Sequence, residues 1–238
     1  GLKALLHDAA VLGKVFWPGA LAAVGGREAS DVERALHALT RLELVKPARH
    51  SSMAGEREFA FWHAIVRDVA YGQIPRAERA ARHAAAARWI EQAVGERLED
   101  VAEVLAYHAS TALVLAQALD APAAEVAELS AEAGRFLELA GDRAARLDVA
   151  AAERLYRRAL ELCARLGEPA EGVRVGRLEI ALGDTLVAAG RSGDAAAVYL
   201  SAAAHAPAAQ ALELRRRASE AYLVSGHVDE GMATIAAL

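Results

Sequence analysis

The chain has 238 residues, a formal net charge of −5 and an apolar share of 55%, yet only 5% of it is aromatic, and 61 residues are alanine. Eighteen glycines, six prolines and 25% charged residues exclude collagen, a proline-rich linker and a wholly disordered chain. No apolar run reaches the roughly 20 residues of a membrane-spanning helix. A single cysteine, Cys163, excludes an internal disulfide, and the mild negative charge offers phosphates no general attraction.

The N-terminus carries no basic region followed by an apolar run, so no signal peptide is read there. The chain opens inside a helical pattern and reads as a cytoplasmic piece of a longer protein. Residues 2–12 predict a helix with Leu2, Leu5, Leu6, Ala9 and Leu12 on one face. Pro18 stands just inside a short helix over 18–24 that Gly25-Gly26 ends. Ser30 with Glu33 reads as a capping box for a third helix, whose apolar face is Val32, Ala35, Leu36, Leu39 and Leu42.

The pattern then changes. Leu44–Pro47 and the aromatic run Glu58–Trp62 predict two short strands around a polar turn that contains Ser51, Ser52 and Gly55. Three helices followed by a hairpin make a winged helix, expected over 1–62. From His63 onward only helices are predicted, at 63–73, 75–94, 98–119, 122–140, 148–166, 171–189, 192–205, 208–225 and 228–238, with Gly141, Gly167, Gly190 and Gly226 as breaks. The expected fold class is mainly α: a winged helix, a helical linker over 63–131 and a helical solenoid over 132–238.

The solenoid rests on an internal repeat. Gly183-Asp184, Gly190, Ala195, Tyr199, Ala202 and Pro207 fall in the frame of a ~34-residue helix-turn-helix unit. Residues 176–209 resemble a tetratricopeptide repeat, with Glu179 where the family carries Trp. Ala140, Ala152, Tyr156 and Ala159 fit the frame over 133–166, and Ser219, Tyr222, Gly226 and Gly231 fit it from 212 onward. Tyr156 and Tyr199 lie 43 residues apart, longer than the family period. A degenerate unit over 98–132 has Ala102, Tyr107 and Ala109. Small residues let the helices approach, the tyrosines fill the space between, and neighbouring pairs share a core.

A second resemblance has a more specific motif. Phe59, Phe61, His63, Ile65, Val66, Arg67, Asp68, Ala70 and Tyr71, followed by Gln73-Ile74-Pro75, Arg79, Arg82-His83, Ala102-Glu103 and Leu105–His108, resemble the region after the nucleotide-binding core of multidomain bacterial signal-transduction ATPases of the STAND class. Those proteins join a P-loop ATPase, a winged helix and tetratricopeptide-like repeats, and are found fused to Ser/Thr kinases, nucleotide cyclases or maltose-regulator-like transcription factors. The resemblance is specific over about residues 36–108. It implies a non-catalytic regulatory and protein-interaction region whose ATPase core lies outside this chain. Gly13-Lys14 is not a Walker loop, since Asp8 stands where its first glycine belongs and Val15 where Ser or Thr is needed. No role passes to His63, which follows the second wing strand.

Other patterns have plainer readings. His63 and Tyr71 are expected to pack against the wing, with Arg67 and Asp68 in structural polar contacts. The eight histidines lack metal-ligand spacing, so no metal is expected, nor any cofactor. Trp17, Trp62 and Trp89 read as packing residues, Cys163 as a buried inert thiol, and Ser51-Ser52 as a turn. The third helix sets Arg34 and Arg41 against Asp31, Glu33 and Glu43, too few free cations for DNA readout. Basic clusters at Arg76/Arg79/Arg82/Arg88, Arg154/Arg157/Arg158 and Arg215/Arg216/Arg217 all lie beside glutamates and read as solvated faces.

In stacked repeats the first helix of each pair lines the concave side. The expected partner-binding residues are therefore Arg177, Ile180, Asp184, Val187, Glu213, Arg216, Glu220 and Leu223. Their mixed charge suits a protein or peptide partner, or the protein's own neighbouring domains. The alternatives are a DNA-binding regulator fragment that uses the winged helix and an uncharacterised enzyme domain.

Overall fold

The computed structural model describes residues 1–166 and 171–237. The fold is mainly helical, and its contacts divide it into two compact units, Gly1–Leu129 and Ser130–Leu238. Among the described residues no helix is long and apolar enough to cross a membrane.

The first unit runs α1 (Leu2–Leu12), β1 (Val15–Phe16), α2 (Pro18–Gly25), α3 (Ala29–Arg41), β2 (Val45–Pro47), β3 (Phe59–Phe61), α4 (Ala64–Gly72), α5 (Arg76–Val94), a 3-10 segment (Gly95–Val101) and α6 (Ala102–Gln117). Pro18 opens α2 directly after an extended Trp17, and Gly26 closes it in the left-handed conformation (φ 58°) that a side chain would strain. β3 is the middle strand of an antiparallel sheet, with Val15 opposite Ala60 on one side and Val45 opposite Phe61 on the other. Phe16 packs edge-on against Phe61 at 5.3 Å and stacks on Phe59 at 6.4 Å. These rings join Leu5, Leu21, Leu36 and Leu39 in the core. Pro47, which has no N–H to give a ladder, sits on the edge strand β2.

One acidic side chain is fully buried here. Asp8 of α1 pairs with Arg27, in the turn after α2, and with Arg82 Nε of α5 at 2.7 Å. A buried carboxylate is tolerated only with such partners, so this pair of guanidinia ties α1 to two later parts of the unit.

The second unit begins within α7 (Ala123–Ala144), whose span crosses the division, and continues through α8 (Val149–Leu166), α9 (Glu171–Ala188), α10 (Ser192–His205), α11 (Ala208–Val224) and α12 (Val228–Ala236). From α8 on, each helix packs beside the next. The close packing follows from size: Ala133, Ala140, Ala152, Ala159, Ala195, Ala202 and Ala218 are fully buried, with Phe136, Leu186 and Tyr199 between them. Two turns repeat one geometry. Gly190 (φ 74°) follows α9 and Gly226 (φ 85°) follows α11, and the next N–H closes back onto the helix, Arg191 to Leu186 O and His227 to Tyr222 O, both at 2.9 Å.

Several sequence expectations shift. α3 starts at Ala29 with Glu28 at its N-cap and no side-chain cap, so Ser30 lies in the first turn and forms no capping box. Leu42 follows the helix and is exposed, away from the core that Val32, Leu36 and Leu39 enter. β1 adds a third strand to the expected hairpin. The helix expected at 98–119 begins at Ala102, after the 3-10 segment, in which Arg97 leaves helical geometry (φ −89°, ψ 33°). Gly141 breaks nothing; it lies inside α7, and Gly167 lies outside the described residues. The segment expected as a linker contributes α4, α5 and α6 to the first unit.

Candidate docking surface

In the second unit the candidate site is built around Tyr199 of α10. Its ring is buried against Gly183 of α9, where a Cβ would lie 2.4 Å from Tyr199 Cε1. The hydroxyl donates to Asp184 Oδ1 at 2.6 Å. Arg217 of α11 donates to both Asp184 and Tyr199 Oη (2.7 Å from the latter) and covers the ring face at 4.3 Å. Burial first, then the bond to Asp184 and its charge, push the Tyr199 phenol well above its usual range. The same assembly occurs one helix pair earlier. Tyr156 of α8 packs on Gly141 of α7 and donates to Asp142 Oδ1 at 2.7 Å, and its phenol is pushed up by burial and by Asp142.

Beside the Tyr199 assembly lies a cavity of about 260 Å³, lined by Val187 of α9, Ser192 and Tyr199 of α10, and Arg216, Arg217, Glu220, Ala221 and Val224 of α11. Arg216 is held on both sides, with Nε to Glu213 at 2.8 Å and Nη1 to Glu220 at 3.1 Å. Hydrogen bonding to Glu213 raises the Arg216 pKa, and the same bond lowers that of Glu213. The opening thus offers an apolar patch, Val187 and Val224, both exposed, beside a compensated row of charge. That combination suits a peptide with an apolar anchor flanked by polar groups.

Of the eight residues expected to line this surface, Val187, Arg216 and Glu220 meet at the cavity, and Glu213 joins through Arg216. Asp184 adjoins it, but its carboxylate is taken by Tyr199 and Arg217. Ile180 is half-buried. Leu223 packs toward Gly231 of α12. Arg177 lies outside this group and pairs with Glu138 of α7, which also receives Arg174 Nε at 3.2 Å. Two residues important here, Arg217 and Asp142, escape a reading by repeat position, because their partners lie on other helices. The one available signal is the shared Gly-Asp step at 141–142 and 183–184.

A second exposed surface belongs to the first unit. Ile65 and Val69 of α4, and Gln73 just after it, face Lys3, Leu6 and His7 of α1 across a shallow cavity of about 410 Å³, with Ile65 65% and Val69 51% exposed. Against expectation, His63 is exposed. Tyr71 turns to α5 rather than to the strands: its hydroxyl lies 3.0 Å from His83 Nε2, and His83 Nδ1 lies 2.9 Å from His108 Nδ1 of α6. Burial, then Arg67 and Arg79, lower the His83 pKa to about 4, and burial, then His83, lower that of His108 to about 3. Both rings are neutral at neutral pH, and one Nδ1 carries the proton that the other accepts. Spacing along the chain, 25 residues, hides this pair.

The remaining candidates are held structurally. Arg67 lies 3.5 Å from Asp68. Trp17 stacks on Trp89 at 6.0 Å, whereas Trp62 is 44% exposed beneath Lys46 and is not a core residue. Cys163 is buried. Ser52 and its amide are bound by the Glu58 carboxylate. Among the described residues no group of three or more His, Cys, Asp or Glu side chains could hold a metal ion. No family model, curated protein or solved structure matches this chain.

Proposed function

We propose that the chain is a winged helix followed by tetratricopeptide-like repeats, and that it serves as the regulatory and protein-interaction region of a multidomain bacterial signalling ATPase whose catalytic core lies elsewhere. The observation that carries this reading is the recurring assembly Gly141-Asp142/Tyr156 and Gly183-Asp184/Tyr199. One aromatic ring per helix pair, seated on a glycine and held by the next acidic residue, is how small-residue repeats share a core. The first unit supports it through element order: helix, strand, two helices, two strands, with the first strand paired to the last. The second-unit cavity is the docking site for a peptide or protein segment, and the apolar face of α1 and α4 suits a neighbouring domain.

DNA docking through α3 is disfavoured by charge pairing. Of the two α3 arginines, Arg34 is engaged by Asp31, and Glu33 is answered by Arg57 from the strand region, so the helix offers phosphates little net positive charge. For an enzymatic reading, the histidine pair is buried and neutral rather than open to a substrate.

The test is selection of binders from a random peptide display library on the full chain, followed by titration against Val187→Asp and Arg216→Glu. Docking at the cavity predicts that selected peptides lose about tenfold or more in affinity with at least one variant, while the helical circular dichroism is unchanged. Selected peptides indifferent to both variants refute it. A mobility shift with random duplex DNA at low salt, or heat of binding with ATP, would favour the alternatives; neither is expected.

A further inference from the structure

Between α4, α5 and α6 runs a buried polar chain. Tyr71 Oη stands 3.0 Å from His83 Nε2, and His83 Nδ1 stands 2.9 Å from His108 Nδ1. Both histidines are fully buried. Each nitrogen of His83 is thereby engaged, one as donor and one as acceptor in the neutral ring, so an added proton has to turn one of these bonds round. The charges that act on His83 are Arg67 of α4 and Arg79 of α5, both positive. Arg67 Nε is itself buried with no hydrogen-bond partner among the described residues, and the Arg79 guanidinium covers the Tyr71 ring at 4.6 Å. From α6 the His83 ring meets His108 and Tyr107, the latter ring 5.7 Å away. The carboxylates of α1 and α4 do not answer it: Asp8 is taken by Arg27 and Arg82, and Asp68 is exposed beside Arg67. A proton on His83 therefore makes a buried cation that two guanidinia repel.

The elements around this chain are unequally held. α5 and α6 bury Ala86, Ala87, Ile90, Leu105, Ala109 and Leu113, whereas α4 buries Ala70 alone and exposes Ile65 and Val69. A short helix with so little apolar burial is the segment that opens at lowest cost, and it carries both Tyr71 and Arg67. We propose that the Tyr71–His83–His108 chain is a proton-operated latch on α4: uptake of a proton at His83 lifts α4 from α5 while the rest of the first unit stays folded, and so dismantles one wall of the α1–α4 face. The inference rests on the proposed function for what that face does, and names its regulation. The opening of α4 is read in the free chain without any partner, so its failure is distinguishable from a failure of docking.

Amide hydrogen exchange on the full chain, expressed as protection factors, tests the latch. The α4 amides should be less protected than those of α3 and should respond weakly to urea below the unfolding transition, because a local opening exposes little surface. With His83 moving from about 4 in the closed form to the ordinary 6.5 in the open one, α4 protection should fall by up to about 20-fold between about pH 7 and 5. His83→Gln should abolish that fall. Arg67→Gln keeps the histidine, removes one of the two repelling charges and should shrink the fall at least about twofold, so the test survives if the first variant does not fold. Amides of α4 that match α3 in protection and in urea response overturn the latch, since the unit then opens only as a whole. So does α4 protection that is unchanged between the two pH values, or a fall undiminished in both variants.

Discussion

Gly183→Ala is the sharpest probe of the second unit. The added Cβ would stand 2.4, 2.7 and 2.9 Å from Tyr199 Cε1, Cδ1 and Cζ, and the ring has no room to retreat because Asp184 and Arg217 hold its hydroxyl. Overpacking of this kind costs ~1–3 kcal/mol. If the ring swings instead, a hydrogen bond to a charged group is lost at ~1.5 kcal/mol. Alanine returns ~1 kcal/mol through its better helix propensity, leaving a net loss of about 0.5–2 kcal/mol. Gly176 lies on the same helix with nothing within 4 Å of its would-be Cβ, so Gly176→Ala should stabilise by ~0.5–1 kcal/mol. Amide hydrogen exchange in α9 and α10 reads both: Gly183→Ala should speed the most protected amides about 2- to 30-fold, and Gly176→Ala should slow them. In a Tyr199→Leu background the penalty of Gly183→Ala should vanish. A neutral or stabilising Gly183→Ala in the wild-type background refutes the ring-on-glycine assembly.

The histidine pair makes the first unit acid-sensitive. Both folded pKa values, about 4 and about 3, lie below the ordinary 6.5, so the unfolded chain takes up protons that the folded chain refuses. Stability is therefore full above 6.5 and falls as pH drops toward 4, by up to ~1.4 kcal/mol per pH unit for each ring. Urea midpoints followed by tryptophan fluorescence between about pH 7 and 5 should show this slope, and His83→Gln with His108→Gln should flatten it; a midpoint constant across that range contradicts it. Asp8→Ala leaves Arg27 and Arg82 without their buried partner and should cost about 3 kcal/mol in the same assay; a loss below about 1 kcal/mol would show the pair to be replaceable by solvent. In an alkaline titration read by phenolate absorbance, Tyr156 and Tyr199 should ionise late, above their ordinary 10.0, and replacing both with Phe should shrink that late step to the share of Tyr71, which burial also raises; an unaltered curve counts against the Asp bonds.

The helices were legible because their ends carry local chemistry: Pro18 and Gly26 around α2, Gly190 after α9, Gly226 after α11. β1 was not, because two residues hold no alternation to read and Val15–Phe16 becomes a strand only by pairing with residues 59–60. Gly141 misled for a related reason. Glycine inside a helix usually signals an end, but here it clears space for a ring from the next helix. At the candidate site, repeat position identified Val187, Arg216 and Glu220 but took Asp184 for a free lining residue. Its carboxylate is consumed by Tyr199 and Arg217, 15 and 33 residues away. His83 and His108 were hidden in the same manner, as no periodicity along one helix reports which residue another helix brings to it.

Arg217 also sets how the array gives way under tension. It reaches from α11 to both Asp184 on α9 and Tyr199 on α10, so one side chain latches three helices. Directional bonds lose most of their strength over a fraction of an ångström, whereas apolar contacts slacken gradually. Pulled along its length, this junction should behave as a brittle catch, stiff until the guanidinium lets go and compliant afterward.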